Sequence, residues 1–247
     1  MSTTLPQFNA VPGSTPAVVF CGGFRSDMTG SKALALQALA TQQGFAFTRF
    51  DYRGHGSSPV PFEACTVSDW LQDTLTIIDQ QNAGKLILVG SSMGAWLALL
   101  AACRRPQRVA GLLLIAAATD FTAELMEPAL SDTQRAQLAR DGLIRLPSAY
   151  DADGYPVTQQ LLEDGRRHRL LDKPIPLHCP VRLLHGLADA DVPWSLSLRT
   201  QQQLQSTDVT LELIKGGDHR LSTDADLARI ARRLCELRAQ VQGNARD

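Results

Sequence analysis

The chain has 247 residues, 44% of them hydrophobic and 20% charged, with a net charge of −1. This is the composition of a globular domain large enough to bury its own core. Near-neutrality excludes a polybasic nucleic-acid footprint and a basic membrane-binding surface. The longest apolar runs, Val109–Ala118 and Ala95–Cys103, reach about half of the roughly 20 residues that a membrane-spanning helix needs, so no span is expected.

Met1–Pro6 has neither a basic stretch followed by an apolar one nor an Arg-rich character, so neither secretion nor an organellar leader is expected. The five cysteines, Cys21, Cys65, Cys103, Cys179 and Cys235, are scattered and lack metal-ligand spacing. Reduced thiols and a cytoplasmic location are the corresponding expectations.

In chain order, Ala17–Phe20 is a short apolar run closed by Gly22-Gly23 and predicts a central strand. Lys32–Gln43 places leucines among alanines, a helix composition that Gly44 ends. Phe45–Phe50 alternates and is aromatic, which predicts the next strand. Thr66–Asn82 puts Trp70, Leu71, Leu75, Ile77 and Ile78 on one helical side, with Thr66 and Asp69 at capping positions. The Lys85–Val89 run reads as a buried strand, Ala95–Ala102 as a helix with almost no polar face, and Val109–Ala118 as a further strand.

From Thr119 to His178 the pattern changes to a charged stretch without a strong strand. Two helices are expected there, about Asp132–Asp141 and Val157–His168, and Asp151-Ala152-Asp153-Gly154 reads as a turn. The sheet pattern resumes at Val181–Gly186 and Val209–Lys215. A terminal helix from about Asp224 carries Leu227, Ile230, Leu234 and Leu237 on one face. Alternating strands and helices imply an α/β fold, a mostly parallel central sheet flanked by helices. The expected organisation is one domain, a core of residues 1–118 and 179–247 with a small helical cap insertion over 119–178.

Between the Lys85–Val89 strand and the following helix lies Gly90-Ser91-Ser92-Met93-Gly94. Gly-x-Ser-x-Gly at a strand-to-helix turn is the nucleophile-elbow pattern. The turn is so tight that residues two places on either side of Ser92 crowd it, and Gly90 and Gly94 carry no side chain to clash. A serine hydroxyl needs a base, and the base needs an orienting acid. In an open parallel sheet such groups gather at the carboxyl ends of strands. One strand end leads into His185–Pro193, with Asp189 and Asp191 both available as the acid. Another leads into Gly216-Gly217-Asp218-His219-Arg220, which makes His219 the base.

The other histidines fit less well. His168 and His178 lie in or beside the insertion, His55 is in a glycine-flanked loop, and His185 is placed to brace the acid loop. A tetrahedral intermediate also needs backbone donors. The Met93 amide follows the nucleophile at a helix N-terminus, and the Phe24 amide lies in the loop after the first central strand.

With these residues assembled, the chain resembles the α/β-hydrolase family. Arg49-Phe50-Asp51-Tyr52-Arg53-Gly54-His55-Gly56-Ser57-Ser58 is similar to the family loop after a central strand, and Gly217–Arg220 to its histidine loop. His185-Gly186-x-x-Asp189-x-x-Val192-Pro193 is similar to its acid loop, which implies that Asp189 is the acid rather than Asp191. Gly90–Leu97, Arg182–Trp194, Asp218–Arg220 and Ile144–Tyr150 resemble the mitochondrial palmitoyl-protein thioesterase (acyl-glucuronide esterase) branch, over about residues 17 to 230. Cys21-Gly22 departs from the His-Gly often found at the oxyanion turn.

The resemblance implies hydrolysis of small-molecule or protein acyl esters or thioesters through an acyl-enzyme, with no cofactor or metal. Cleavage of a C–C bond or an amide by the same triad is the alternative chemistry. A hydrolase-fold binding protein without catalysis is the alternative of another class, and it would usually lack a triad member. Cap residues Arg145, Arg166 and Arg167 either meet a substrate carboxylate or are solvated helix faces. Cys21 is either redox-sensitive or a small buried apolar residue.

Overall fold

A computed structural model describes residues 6–80, 84–147 and 154–243. The elements are β1 (Phe8–Val11), β2 (Ser14–Cys21), α1 (Ser31–Gln43), β3 (Phe45–Phe50), α2 (Val67–Gln80), β4 (Leu86–Ser91), α3 (Met93–Arg104) and β5 (Val109–Ile115). After an irregular excursion come β8 (Val181–Gly186), α7 (Trp194–Gln203), β9 (Val209–Ile214) and α8 (Asp224–Gly243). The sheet order is β1-β3-β2-β4-β5-β8-β9, with β1 antiparallel to β3 and every other pair parallel. This is the expected mostly parallel sheet, with β4 at its centre.

Side chains alternate between the two faces of the sheet, as the pleat requires. Val19, Leu88, Leu112 and Leu183 pack toward α2, α3 and α7, whereas Val18, Ile87, Leu113 and Leu184 pack toward α1 and α8. Each fully buried side chain of this size contributes about 1.5–3 kcal/mol relative to exposure. The α3 helix lacks a polar face because Met93 to Ala102 are all buried, on β4 beneath and on α2 beside it. At the start of α2 the Thr66 amide and hydroxyl donate to Asp69 Oδ2 at 3.0 and 2.8 Å, which realises the expected cap. Strand β1 and helix α7 lie outside the sequence expectations. Four residues at a sheet edge, none of them buried, leave no hydrophobic pattern to read.

Between β5 and β8 the chain leaves the sheet through a π-helical turn (Thr122–Met126) and the short α4 (Glu127–Ala129). It continues through α5 (Asp132–Asp141), β6 (Leu143–Leu146), β7 (Tyr155–Thr158) and α6 (Gln159–Arg167). Helix α5 has the expected bounds and carries a capping box between Ser131 and Gln134. The expected helix over Val157–His168 starts two residues later, because Tyr155–Thr158 pairs antiparallel with Leu143–Leu146. Pro156 has no amide to give a helix, and the Thr158 hydroxyl caps α6 by accepting the Leu161 amide at 3.0 Å. The segment therefore holds a hairpin that its two four-residue strands were too short to announce. Tyr150, the Asp151–Asp153 part of the expected turn, and Asn82 lie outside the described residues.

Leu130, Leu138, Ile144, Val157 and Leu162 give this segment a small core of its own. Its two ends are tied together by Asp120, whose carboxylate accepts the Leu170 and Leu171 amides at 2.9 and 2.8 Å.

Candidate active site

Ser92 stands between β4 and α3 with φ 55° and ψ −120°, left-handed backbone that only a tightly determined turn imposes on a serine. The glycines on either side are required by close backbone approach. A Cβ on Gly90 would lie 2.5 Å from the Ala95 Cα, and one on Gly94 would strike the Cys21 and Gly22 carbonyl oxygens. The elbow is thus wedged against the loop after β2.

The Ser92 hydroxyl donates to His219 Nε2 at 3.1 Å, and His219 Nδ1 donates to Asp189 Oδ2 at 2.8 Å. The three come from the carboxyl ends of β4, β8 and β9, as expected. Asp189, not Asp191, faces the imidazole. The amides of Asp191 and Val192 instead donate to Asp189 Oδ1 at 2.9 and 2.8 Å. Asp189, Asp191 and His219 bring ligand-type atoms within 4.8 Å of one another. Both Asp189 oxygens and His219 Nδ1 are already engaged in hydrogen bonds, the arrangement of an acid–imidazole pair.

His185 braces the acid. Its Nε2 donates to the Val192 carbonyl at 2.9 Å and lies 3.1 Å from Asp189 Oδ2, while the Ser197 hydroxyl donates to Nδ1 at 2.7 Å. Burial alone would raise the Asp189 carboxyl. Hydrogen bonds from His185, His219 and the Val192 amide outweigh it and hold the group well below the usual carboxylate range. Asp189 therefore carries a negative charge beside His219 across the working pH range.

The Gly22-Gly23-Phe24 loop passes directly over the elbow, and a Cβ on Gly23 would rest 3.5 Å from the Ser92 Cβ. Met93 opens α3. The Phe24 ring is held edge-on by Phe62, Phe121 and Tyr155 at centroid distances of 4.9, 5.4 and 5.5 Å. A cleft of about 290 Å³ opens at Ser92 and His219, walled by Phe24 and Tyr155 and continuing past Arg25, Lys32 and Arg220. Lys32 donates to the Arg220 carbonyl, and burial pushes its amine down to about 8. No motif pointed to Tyr155 or Lys32, because each owes its place to tertiary contacts between distant segments, and Arg25 carries no motif signal of its own although it directly follows Phe24.

Arg145, Arg166 and Arg167 do not line this cleft. They pair with Glu63, Glu127 and Asp164 at 3.4, 2.9 and 3.9 Å, the solvated-face alternative. His168 is hydrogen-bonded to Ser68 at 2.7 Å, and His178 is exposed. Cys21 is fully buried and its thiol is pushed up to about 12 by burial, the small apolar role.

A parallel sheet with a serine on a strained strand-to-helix turn, and an acid and an imidazole on later strand ends, defines an α/β hydrolase. The family model described as "Serine aminopeptidase, S33" matches residues 14–146. The chain is 41% identical over 221 residues to "Palmitoyl-protein thioesterase ABHD10, mitochondrial" of Mus musculus, covering 89% of this chain and 74% of that protein. The solved structure of mouse alpha/beta hydrolase domain-containing protein 10 superposes with a TM-score of 0.89 at 38% identity, covering 98% and 97% of the two chains. A putative hydrolase from Agrobacterium vitis superposes with a TM-score of 0.90 at 40% identity, covering 94% and 93%. The chain belongs to this hydrolase family, and the expected enzyme class, a serine hydrolase of the esterase or thioesterase type, holds.

One expectation is corrected. The cytoplasmic location does not stand, because the relatives from mouse, cattle and human are all named as mitochondrial proteins. Neither the composition of a folded domain nor a scatter of unpaired cysteines carries a compartment address. Among the described residues no helix is long and apolar enough to cross a membrane.

Proposed function

We propose that the chain hydrolyses acyl thioesters or esters of small molecules or acylated proteins, with Ser92 as nucleophile, His219 as base and Asp189 as orienting acid. The observation that carries this reading is the unbroken chain from Ser92 Oγ, which lines the cleft, through His219 to the buried Asp189 carboxylate behind it. Ser92 Oγ bonds to the acyl carbon as its proton passes to His219 Nε2. The negative charge that develops on the acyl oxygen faces the Phe24 and Met93 amides. Collapse breaks the bond to the leaving thiol or alcohol, which takes the proton from His219. Water, deprotonated by the same nitrogen, then releases the acid and restores Ser92. Asp189 stabilises the imidazolium at both stages without itself accepting the proton.

Residues 119–178 act in this reading as a cap over the core of residues 1–118 and 179–247, and Tyr155 is its contribution to the cleft wall. The relatives named palmitoyl-protein thioesterases make long-chain acyl thioesters the first substrates to try. The test is fluorophosphonate labelling combined with turnover of acyl thioesters, esters and amides of graded chain length. Wild type should label and turn over thioesters and esters, and Ser92→Ala should do neither. Labelling that survives in Ser92→Ala, or turnover confined to amides, would overturn the assignment.

A further inference from the structure

The Arg53–Ser58 loop carries a buried titratable group that the chemistry above leaves unused. His55 is 3% exposed, with its ring steeply inclined to Tyr52, Phe62 and Trp70 at centroid distances of 5.4, 5.1 and 5.3 Å. Its two nitrogens have different partners. Nδ1 lies 3.3 Å from the Arg53 carbonyl, and the Arg25 amide donates to Nε2 at 3.1 Å. A carbonyl only accepts and an amide only donates, so the ring is neutral with its proton on Nδ1. Burial acts in the same direction and pushes the imidazole down to about 4.

The amide that His55 accepts belongs to the oxyanion loop. The Ser26 amide donates to the Gly23 carbonyl at 3.1 Å, closing a turn whose central residues are Phe24 and Arg25. Arg25 has φ 59°, and Phe24 is not among the positive-φ residues. This is a type II turn with arginine where glycine is ordinarily needed. Type I and type II turns differ in which way the central peptide points. That peptide joins Phe24 to Arg25, and its N–H is the one His55 receives.

We propose that His55 is a positioning residue. Its unprotonated Nε2 holds the Phe24–Arg25 peptide in the type II orientation against the backbone strain at Arg25, and so fixes the Phe24 amide over Ser92. The inference rests on the reading of Phe24 as an oxyanion donor. The brace is itself grounded, because Trp70 Nε1 donates to the same Arg53 carbonyl at 3.1 Å, and the Arg53 guanidinium pairs with Asp73 and Asp69 at 2.6 and 3.0 Å. A phenylalanine would fill the aromatic pocket equally well, so packing alone gives no reason for two placed nitrogens.

The test uses His55→Phe, which keeps the ring and deletes both nitrogens, and His55→Gln, which restores an acceptor and a donor. Losing an oxyanion donor costs roughly 10²–10³ in turnover, so displacing one by His55→Phe should lower kcat about 10- to 100-fold with KM little changed, and Tm should fall by a few degrees because the Arg25 amide loses its acceptor. Affinity for a trifluoromethyl ketone, which forms a tetrahedral adduct with the nucleophilic serine, should fall in proportion to kcat, and His55→Gln should recover most of both. Glycine adopts the Arg25 backbone without strain, so in an Arg25→Gly background the same His55→Phe step should cost about threefold or less.

An unchanged ketone affinity in His55→Phe, or an equal loss in the Arg25→Gly background, would overturn the proposal. Should His55→Phe not fold, the ring ¹⁵N spectrum of the wild type decides. Nε2 unprotonated at pH 6 supports the brace, and Nε2 carrying a proton refutes it. If Ser92 were not the nucleophile, the wild type itself would fail to bind the ketone, an outcome distinct from a failure of the brace.

Discussion

Gly94→Ala should separate the elbow from the oxyanion loop while adding only one carbon. The new Cβ would lie 2.6 Å from the Cys21 carbonyl carbon and closer still to the Cys21 and Gly22 oxygens, where ordinary contact begins at 3.4 Å. The atoms it meets are backbone, so no side chain can rotate away. Relief requires α3 and the end of β2 to part by at least about 0.8 Å, the difference between 3.4 and 2.6 Å for the carbon alone, and by more for the nearer oxygens. A misplacement of about 1 Å between reacting groups can cost roughly 10²-fold in rate, and overpacking a filled site costs about 1–3 kcal/mol of stability. Gly94→Ala should thus lower kcat about 100-fold on an acyl ester or thioester and lower Tm by several degrees, since about 1 kcal/mol moves Tm by roughly 2–4 °C in a domain of this size. Gly84→Ala is the control, because its Cβ would rest at an ordinary 3.4 Å from Thr15 Cγ2. Turnover normalised to titrated active sites, together with thermal unfolding, reads both effects. Gly94→Ala with kcat and Tm indistinguishable from the control would refute the wedge between elbow and oxyanion loop.

His185→Leu removes a donor from the buried Asp189 carboxylate, which should cost about 1–3 kcal/mol at pH 7. The folded Asp189 binds its proton more weakly than the unfolded chain does, so its stabilisation is present above the unfolded carboxyl value of about 4 and is lost as pH falls through the lower folded value. The stability gap between wild type and His185→Leu should therefore be wider at pH 7 than at pH 3 in urea titrations, and an equal gap would contradict the brace. Asp120 has the opposite sign. Burial pushes its carboxyl up to about 6 in spite of the Leu170 and Leu171 amides, so the native state holds this proton more tightly than the unfolded one. Its contribution is present at low pH and fades as pH rises from about 4 to about 6. Wild type should accordingly lose stability relative to Asp120→Asn across that window, and parallel stability curves would remove Asp120 as a titrating clamp.

The elements legible in the sequence were those with long apolar patterns or glycine punctuation. The strands β2, β3, β4, β5, β8 and β9, the elbow, and the order of nucleophile, acid and base all carry such signals. Asp189 and Asp191 were indistinguishable by spacing, because both follow β8 within a few residues. The resemblance to the family's acid loop favours Asp189, and the fold of that loop gives the physical difference, with the Asp191 and Val192 amides turned onto the Asp189 carboxylate. The hairpin Leu143–Leu146 with Tyr155–Thr158 was illegible for another reason. Its strands are four residues each and one contains proline, so nothing local competes with the helical reading of the residues that follow. The walls of the cleft were illegible too, since Phe24, Lys32, Tyr155 and Arg220 are brought together from four separate segments.

Those walls nevertheless converge on a loop that the sequence did mark. Gly22-Gly23-Phe24 was legible only as a tight turn with one candidate amide. In the folded chain several separate elements bear on it, among them α3 through Gly94, the loop after β3 through His55 and the Arg25 amide, and the β6–β7 hairpin through Tyr155 on the Phe24 ring. The first two contacts are to backbone and the third is to the ring. A substrate that displaces Tyr155 therefore acts on the Phe24 side chain while the amide stays braced from below. On the proposed reading, a change at Tyr155 should alter the shape of the cleft without moving the Phe24 amide.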